Sequence, residues 1–221
     1  FGYEWEGFDQ SQLSPDEVND LFQKYFSIFP WDRISGESVG FDLGCGSGRW
    51  AKLAAPRVGH LHCIDPSSAL EVAKANLESL SNCSFHKAHA GNLPFEDATM
   101  DFGYSLGVLH HIPDPEEALT ECVRKIKPKA PLLVYLYYAF DNKPWWFRMV
   151  WRCSNLMRLV ISRLPRSLCS LICNLIAIFV YWPLARFSLL LPKLGLSAQH
   201  FPLNFYSKLS LYTMRTDSLD R

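Results

Sequence analysis

Residues 38–140 predict a doubly wound α/β fold, a mostly parallel sheet with helices on both faces. Three observations carry the expectation. Between residues 39 and 138, short apolar runs alternate with segments of helical spacing. The run Val39, Phe41, Leu43 ends in a turn, Gly44-Cys45-Gly46-Ser47-Gly48, which opens a helical segment. The next apolar run ends in Asp65, at the strand end where such sheets gather ligands.

Taken in order, the elements justify themselves locally. Ser14 is placed as an N-cap, with Pro15 at the first helical position and Glu17 closing a capping box. Val18, Leu21, Phe22, Tyr25 and Phe26 recur at helical spacing, and Pro30 should end that helix. The aromatic opening at residues 1–8 reads either as a lid over the ligand crevice or as a packed terminal segment. A strand at 39–43 leads to a helix over about 47–55, stopped by Pro56. A strand at 59–64 is followed by a helix over 68–80, with Ser68 and Glu71 as its capping box. Then come a weak strand at 83–87, a strand at 100–106, a helix from Asp114 that ends before Pro128, and an apolar strand at 132–138. Right-handed crossovers place all loops that follow strands on one edge of the sheet.

Charge divides the chain. Formal net charge is zero, yet residues 1–142 hold 11 Lys/Arg against 20 Asp/Glu, and residues 143–221 hold 11 against 2. Three segments are expected: 1–37, helical or lid; 38–140, the α/β domain; and 141–221, a basic, apolar helical insertion or cap. In the last, Asn142-Lys143-Pro144 starts a helix on which Arg148, Arg152, Asn155, Arg163 and Arg166 fall within roughly a quarter of the circumference. Trp145, Trp146, Met149, Trp151, Leu156, Leu159 and Val160 fill most of the rest. Residues 167–185 carry no charge and contain Asn174 and Pro183; about 20 apolar residues are needed to cross a bilayer, so this run stands at the lower limit. A membrane span, an interfacial helix pair and a packed lid or dimer surface are the three readings, and peripheral membrane association is expected through 143–191. Nucleic acid is disfavoured, because the cations share a segment with long apolar runs.

Seven scattered cysteines form no C-x-x-C pair and no ligand spacing. No metal is expected, Cys169 and Cys173 are read as packing residues on one helix face, and the setting is read as reduced and cytoplasmic. With no closing element before Arg221, the sequence is read as a fragment.

The glycine turn admits more than one nucleotide ligand. Gly46-Ser47-Gly48-Arg49-Trp50-Ala51 matches the dinucleotide fingerprint formally, whereas no Gly-Lys-Ser/Thr follows to make a P-loop. Asp42 stands two residues before the first glycine, and Asp65 suits ribose hydroxyls in either a nicotinamide or another nucleoside site.

The full turn, Asp42-Leu43-Gly44-Cys45-Gly46-Ser47-Gly48, resembles the first motif of the class I S-adenosylmethionine-dependent methyltransferases. Gly91-Asn92-Leu93-Pro94-Phe95-Glu96-Asp97 resembles that family's third motif, and Ser105-Leu106-Gly107-Val108-Leu109-His110-His111-Ile112-Pro113-Asp114 resembles its type 11 or UbiE-like branch. The resemblance spans residues 38–138. It implies the Rossmann-like sheet of that class and S-adenosylmethionine as cofactor. It further implies Gly44, Cys45, Gly46 and Gly48 under the methionine part, Asp42 at its amino group, Asp65 with Pro66 at the ribose, and His89, Ala90 and Asn92 by adenine. Ser105 and Leu106 would complete the lining, and a small, hydrophobic or lipid-linked acceptor would receive the methyl. His110 and His111, just after the fourth strand, are the candidate bases. The sequence departs from the family in having His89-Ala90 for Asp-Ala and Lys127-Pro128-Lys129-Ala130 for Lys-Pro-Gly-Gly. The antiparallel strand pair that normally closes the sheet is not found in 139–221, as expected if the sequence stops short of it. A non-catalytic S-adenosylmethionine-binding regulator and a nicotinamide oxidoreductase are the alternatives.

Overall fold

The computed structural model describes residues 13–137, 140, 142–198 and 201–220. The aromatic opening read as a lid lies outside the described residues. The chain divides into two compact units at Tyr137–Tyr138.

The first unit is a five-stranded sheet, built from β1 (Val39–Leu43), β2 (His60–Ile64), β3 (Cys83–His86), β4 (Phe102–Leu106) and β5 (Leu132–Tyr135). All pairings are parallel, in the order β3-β2-β1-β4-β5. The chain winds outward from β1 to one edge and then returns to start the other half beside β1. The β1–β4 boundary is therefore the switch point, where an open α/β sheet leaves a crevice.

The helices follow their caps, with three corrections. Helix α1 (Pro15–Tyr25) starts as expected, its Ser14 Oγ accepting from the Glu17 N–H at 3.1 Å. It stops before Pro30 because Phe26, Phe29 and Trp31 turn back to stack with one another and with Phe22. Helix α2 (Ala51–Ala54) is shorter than the expected 47–55, since Gly46 and Gly48 hold positive φ and cannot be helical. Helix α3 (Ala69–Asn76) lacks the predicted Ser68 box; the Ser67 hydroxyl accepts the Ala69 N–H instead, at 3.2 Å. Helix α4 (Pro115–Lys125) begins at Asp114, whose Oδ1 accepts from the Glu117 N–H at 2.9 Å. The strands are also shorter than expected: β4 begins at Phe102, with Met100 in an isolated bridge to Ile126, and β5 ends at Tyr135.

Both faces of the sheet are covered. On one, Phe41, Leu43 and Ile64 pack with Leu93, Leu109 and Cys122. On the other, the aromatics that follow α1 meet β4, with Phe26 edge-on to Tyr104 at 5.1 Å and Phe29 to Phe102 at 6.1 Å. Across β1 and β4, Gly40 pairs with Phe102 and Phe41 with Gly103. A Cβ at Gly40 would lie 2.4 Å from the Phe102 ring, and one at Gly103 would lie 2.4 Å from the Phe41 ring. Each ring occupies the space that its partner's missing side chain leaves, one on each face.

The second unit is helical: α5 (Trp145–Ile161), α6 (Arg166–Ile176), a π-turn (Ala177–Tyr181), α7 (Trp182–Ser188) and α8 (Leu211–Asp220). Cys173, Ala177, Ala185 and Ser188 are its buried stripe. Polar bonds tie this stripe to the segment after it: Arg215 Nε donates to Asn174 Oδ1 at 2.7 Å, Ser218 Oγ to the Cys173 carbonyl at 3.1 Å, and Arg186 to the Leu209 carbonyl at 3.1 Å. Cys173 is buried and Cys169 partly so. No strand occurs among the described residues of this unit.

The glycine–aromatic pairing predicts that Gly103→Ala forces the Phe41 ring to move and destabilises the chain by about 1–3 kcal/mol. Urea unfolding of the full chain checks this; an unchanged midpoint would contradict the packing account.

Candidate active site

The turn after β1 is built by backbone geometry that only glycine adopts cheaply. Gly44, Gly46 and Gly48 have φ of 75°, 54° and 79°. At Gly44 a Cβ would also fall 2.3 Å from Val108 Cγ2, so the turn after β1 is pressed against the loop after β4. The amides of Gly44 and Cys45 donate to the Ile64 carbonyl at 2.8 and 3.1 Å, and the Asn76 side chain donates to the Ser47 carbonyl at 2.9 Å. Cys45 is buried as a free thiol.

Asp65 is held by this same turn. Its Oδ2 accepts from the Gly46 N–H at 3.1 Å, and its Oδ1 from the Ser67 N–H at 2.9 Å and the Ser67 hydroxyl at 2.6 Å. The carboxylate fixes the glycine turn and retains acceptor capacity for a ligand hydroxyl. Pro66 beside it is exposed.

Asp42 is the unusual group. It is 2% exposed, and its Oδ2 has no hydrogen-bond partner among the described residues. Burial raises its carboxyl from 3.8 to about 8; the Tyr104 hydroxyl on the paired strand opposes the shift and Asp65 adds to it. The carboxyl is thus largely protonated at neutral pH, and a cation brought beside it would restore the charge. The Ser47 hydroxyl is likewise buried without a partner. An unpartnered carboxyl oxygen at the end of β1 and an unpartnered hydroxyl on the turn that follows suit a polar, cationic ligand.

From the other side, β4 carries Ser105 one residue before its end, and the buried Ser105 hydroxyl donates to the Leu43 carbonyl at 3.0 Å. That side chain fastens β4 to β1 and is spent there. Leu106 is half-buried at the strand end, and Gly107 takes φ 77° to start the loop. A 3-10 turn then carries His110 and His111, ring centroids 4.1 Å apart, with Tyr137 4.0 Å from the His110 ring. Burial, and then the adjacent His111, hold the His110 imidazole below its ordinary range, so the ring is neutral at pH 7. Neither of its nitrogens, both buried, has a hydrogen-bond partner among the described residues. His89 and Asn92 are exposed and Ala90 is buried, on the loop that leads from β3 toward Leu93. Sequence reasoning missed Ser47, Asn76, Tyr104 and Tyr137. Ser47 lay inside the motif, whereas the others reach the site only through tertiary packing. No group of three His, Cys, Asp or Glu side chains that could hold a metal is found among the described residues.

The crevice thus belongs to an open, parallel α/β domain with a glycine turn and two acidic strand ends. Residues 41–134 match the family described as Methyltransferase domain. The chain is 29% identical over 142 residues to Phosphoethanolamine N-methyltransferase 2 of Caenorhabditis elegans, covering 61% of this chain and 31% of that protein. It is 34% identical over 106 residues to O-methyltransferase rstn1 of Aspergillus nomiae, covering 46% and 47%. With Probable tRNA methyltransferase 9B of Bos taurus it shares 28% identity over 149 residues, covering 60% and 31%. The chain spans about a third to a half of the length of these relatives. Residues 41–134 are a methyltransferase domain of the class I S-adenosylmethionine-dependent family.

The cofactor of that family is S-adenosylmethionine, and the site fits it. The ligand carries an amino group and a sulfonium for Asp42 and ribose hydroxyls for Asp65, and the glycine turn leaves the backbone bare along its path.

Two outcomes follow. An acid whose pKa is raised on folding contributes stability that is present below its unfolded value and is lost as pH rises through the folded one. In the ligand-free protein, Asp42→Asn should therefore gain stability relative to the parent between pH 4 and about 8, by on the order of 5 kcal/mol at the plateau. Urea unfolding across that range checks it, and a difference that does not vary with pH would refute the buried-acid account. Gly44→Ala should weaken S-adenosylhomocysteine binding by more than about tenfold, from left-handed strain and the Val108 clash together. Titration calorimetry on Gly44→Ala and on Gly44→Ala/Val108→Ala separates the two causes, since the second change relieves only the clash.

Proposed function

We propose that this domain catalyses methyl transfer from S-adenosylmethionine to a small acceptor. The observation that carries the reading is Asp42, a buried acid with an open oxygen near the end of β1, beside the glycine turn of a methyltransferase domain. When bound, the cofactor supplies an electrophilic methyl group on a positively charged sulfur. The chain's own residues do the rest. Asp42 ionises against the incoming cation, Asp65 binds hydroxyls while holding the Gly46 amide, and Ser105 keeps the two strand ends at a fixed distance. His110, neutral and with unsatisfied ring nitrogens, accepts the proton that an acceptor N–H or O–H sheds as its lone pair attacks.

The acceptor in this proposal is hydrophobic or lipid-linked. The apolar, basic composition of the second unit supports that class. The relatives are named for phosphoethanolamine and for tRNA, so a domain of this kind serves acceptors of different chemistry.

Calorimetry with S-adenosylhomocysteine tests the cofactor, and transfer of labelled methyl to a panel of small amines and phenols, free and acyl-linked, tests the reaction. Binding without turnover on any acceptor would favour a regulatory role; selective binding of NADH would sink the proposal. His110→Gln should lower kcat about 10²–10⁴-fold and abolish the acid limb of the pH–rate profile, with S-adenosylhomocysteine affinity held within about twofold. Full activity in that variant would mean that alignment alone suffices.

A further inference from the structure

We infer that the helical unit, between α5 and residue 196, is a docking surface for an anionic lipid bilayer, with α5 lying in the plane of the interface. The inference does not depend on the methyl-transfer proposal.

Helix α5 has no buried residue along its 17-residue length. Trp146, Val150, Met157 and Val160 are 38%, 53%, 56% and 65% exposed and share one side of the helix at 3.6 residues per turn. Arg148, Arg152 and Asn155 lie on the opposite side, with Arg158 toward its flank. An apolar face opposite a basic one is the pattern of a helix that lies at the headgroup boundary, with tryptophans at the interface. Such a face left in water would be costly along its whole length.

Charge identifies the occupant. From residue 142 to residue 216 there is no Asp or Glu, against ten Lys and Arg. A bilayer with anionic headgroups answers both features at once, apolar area and unopposed cations. A second copy of this surface would set the same arginines beside their own counterparts, with no acid between residues 142 and 216 to offset them.

The longer helix then explains why the surface docks rather than crosses. Ser167–Ser188 is 22 residues long, long and apolar enough to span a bilayer; its most apolar 18 residues have a mean hydropathy of 2.0, and only 17% of them are buried. Leu171, Leu175, Phe179 and Trp182 stand exposed along it. Yet its buried stripe is bonded to a polar partner. Asn174 holds Arg215, the Cys173 carbonyl holds Ser218, and Tyr206 donates to Asp217 at 2.9 Å. A transmembrane course would carry Arg215 and Asp217 into hydrocarbon, which is costly. Lying along the interface keeps that polar side in water while the open side enters lipid.

Co-sedimentation of the full chain with vesicles decides it. Phosphatidylcholine vesicles containing phosphatidylglycerol should bind the protein at least about tenfold better than phosphatidylcholine alone at low salt, and added salt should reverse the binding. Brominated lipids should quench its tryptophan fluorescence. Arg148→Glu/Arg152→Glu/Arg158→Glu should abolish the preference for anionic vesicles, and Met157→Asp/Val160→Asp should abolish quenching. Both variants change exposed residues and should keep parental circular dichroism and S-adenosylhomocysteine affinity. Protein left in the supernatant with anionic vesicles would overturn the inference, as would vesicle binding that neither variant weakens. Resistance to alkaline carbonate extraction would overturn the in-plane placement. A discrete dimer in light scattering that the same substitutions dissolve would assign the surface to a second copy instead.

Discussion

The pairing of β1 with β4 is the constraint on which the first unit depends. These strands come from separate halves of the chain, about sixty residues apart, and nothing local holds them together. Both ends are fastened by side chains. At the amino edge, Asp101 accepts from the Val39 N–H at 2.9 Å and its own amide returns a bond to the Val39 carbonyl at 2.7 Å. At the carboxyl edge, the Ser105 hydroxyl reaches the Leu43 carbonyl. Between them, the Gly40–Phe102 and Phe41–Gly103 pairs let one ring seal each face. A crevice at a switch point is only as well defined as this seam. Val108 packed on Gly44 shows the seam continuing into the loops that would touch a ligand.

Electrostatics gives the crevice a direction. Two carboxyl groups end adjacent strands, but they are used differently. Asp65 takes three hydrogen bonds from the turn, which spread its charge over backbone and hydroxyl donors. Asp42 lies deeper, lacks such donors at Oδ2, and responds by holding its proton. One acid builds the turn, and the other waits for a cation. The arrangement trades some stability of the empty fold for affinity, as groups with strongly perturbed pKa values at functional sites generally do.

Most of this fold was legible because its signals are local. Apolar runs marked the strands, and the caps at Ser14 and Asp114 formed as the spacing indicated. The failures share one cause, competition from the turn that precedes each helix. Ser68 lost its capping role because Asp65 oriented Ser67, whose hydroxyl then took the Ala69 amide. The helix after the turn shrank because three glycines, needed left-handed for the turn, could not also be helical. In the site, the glycines and acids stood out by type and spacing. The sequence holds no trace of Asp42's raised pKa, which depends on what packs over it. Likewise, nothing near Ser105 marks its hydroxyl as a strand fastener, because its acceptor lies 62 positions away.

The second unit is governed by the opposite balance. It buries few apolar side chains, Ala177, Ala185, Leu191, Leu209 and Met214 among them, and polar bonds join its parts: Asn174 with Arg215, Arg186 with the Leu209 carbonyl, Tyr206 with Asp217. A water-soluble helical unit of this composition would turn its leucines and tryptophans inward and its arginines outward. Here polar side chains staple the inner stripe while Trp145, Leu156, Val160 and Phe179 face out. Such an inversion costs least where the surroundings are themselves layered, hydrocarbon against the apolar faces and charged headgroups against the arginines. Methyl acceptors that are hydrophobic or lipid-linked concentrate in that same layer, so one physical boundary would serve both anchoring and supply.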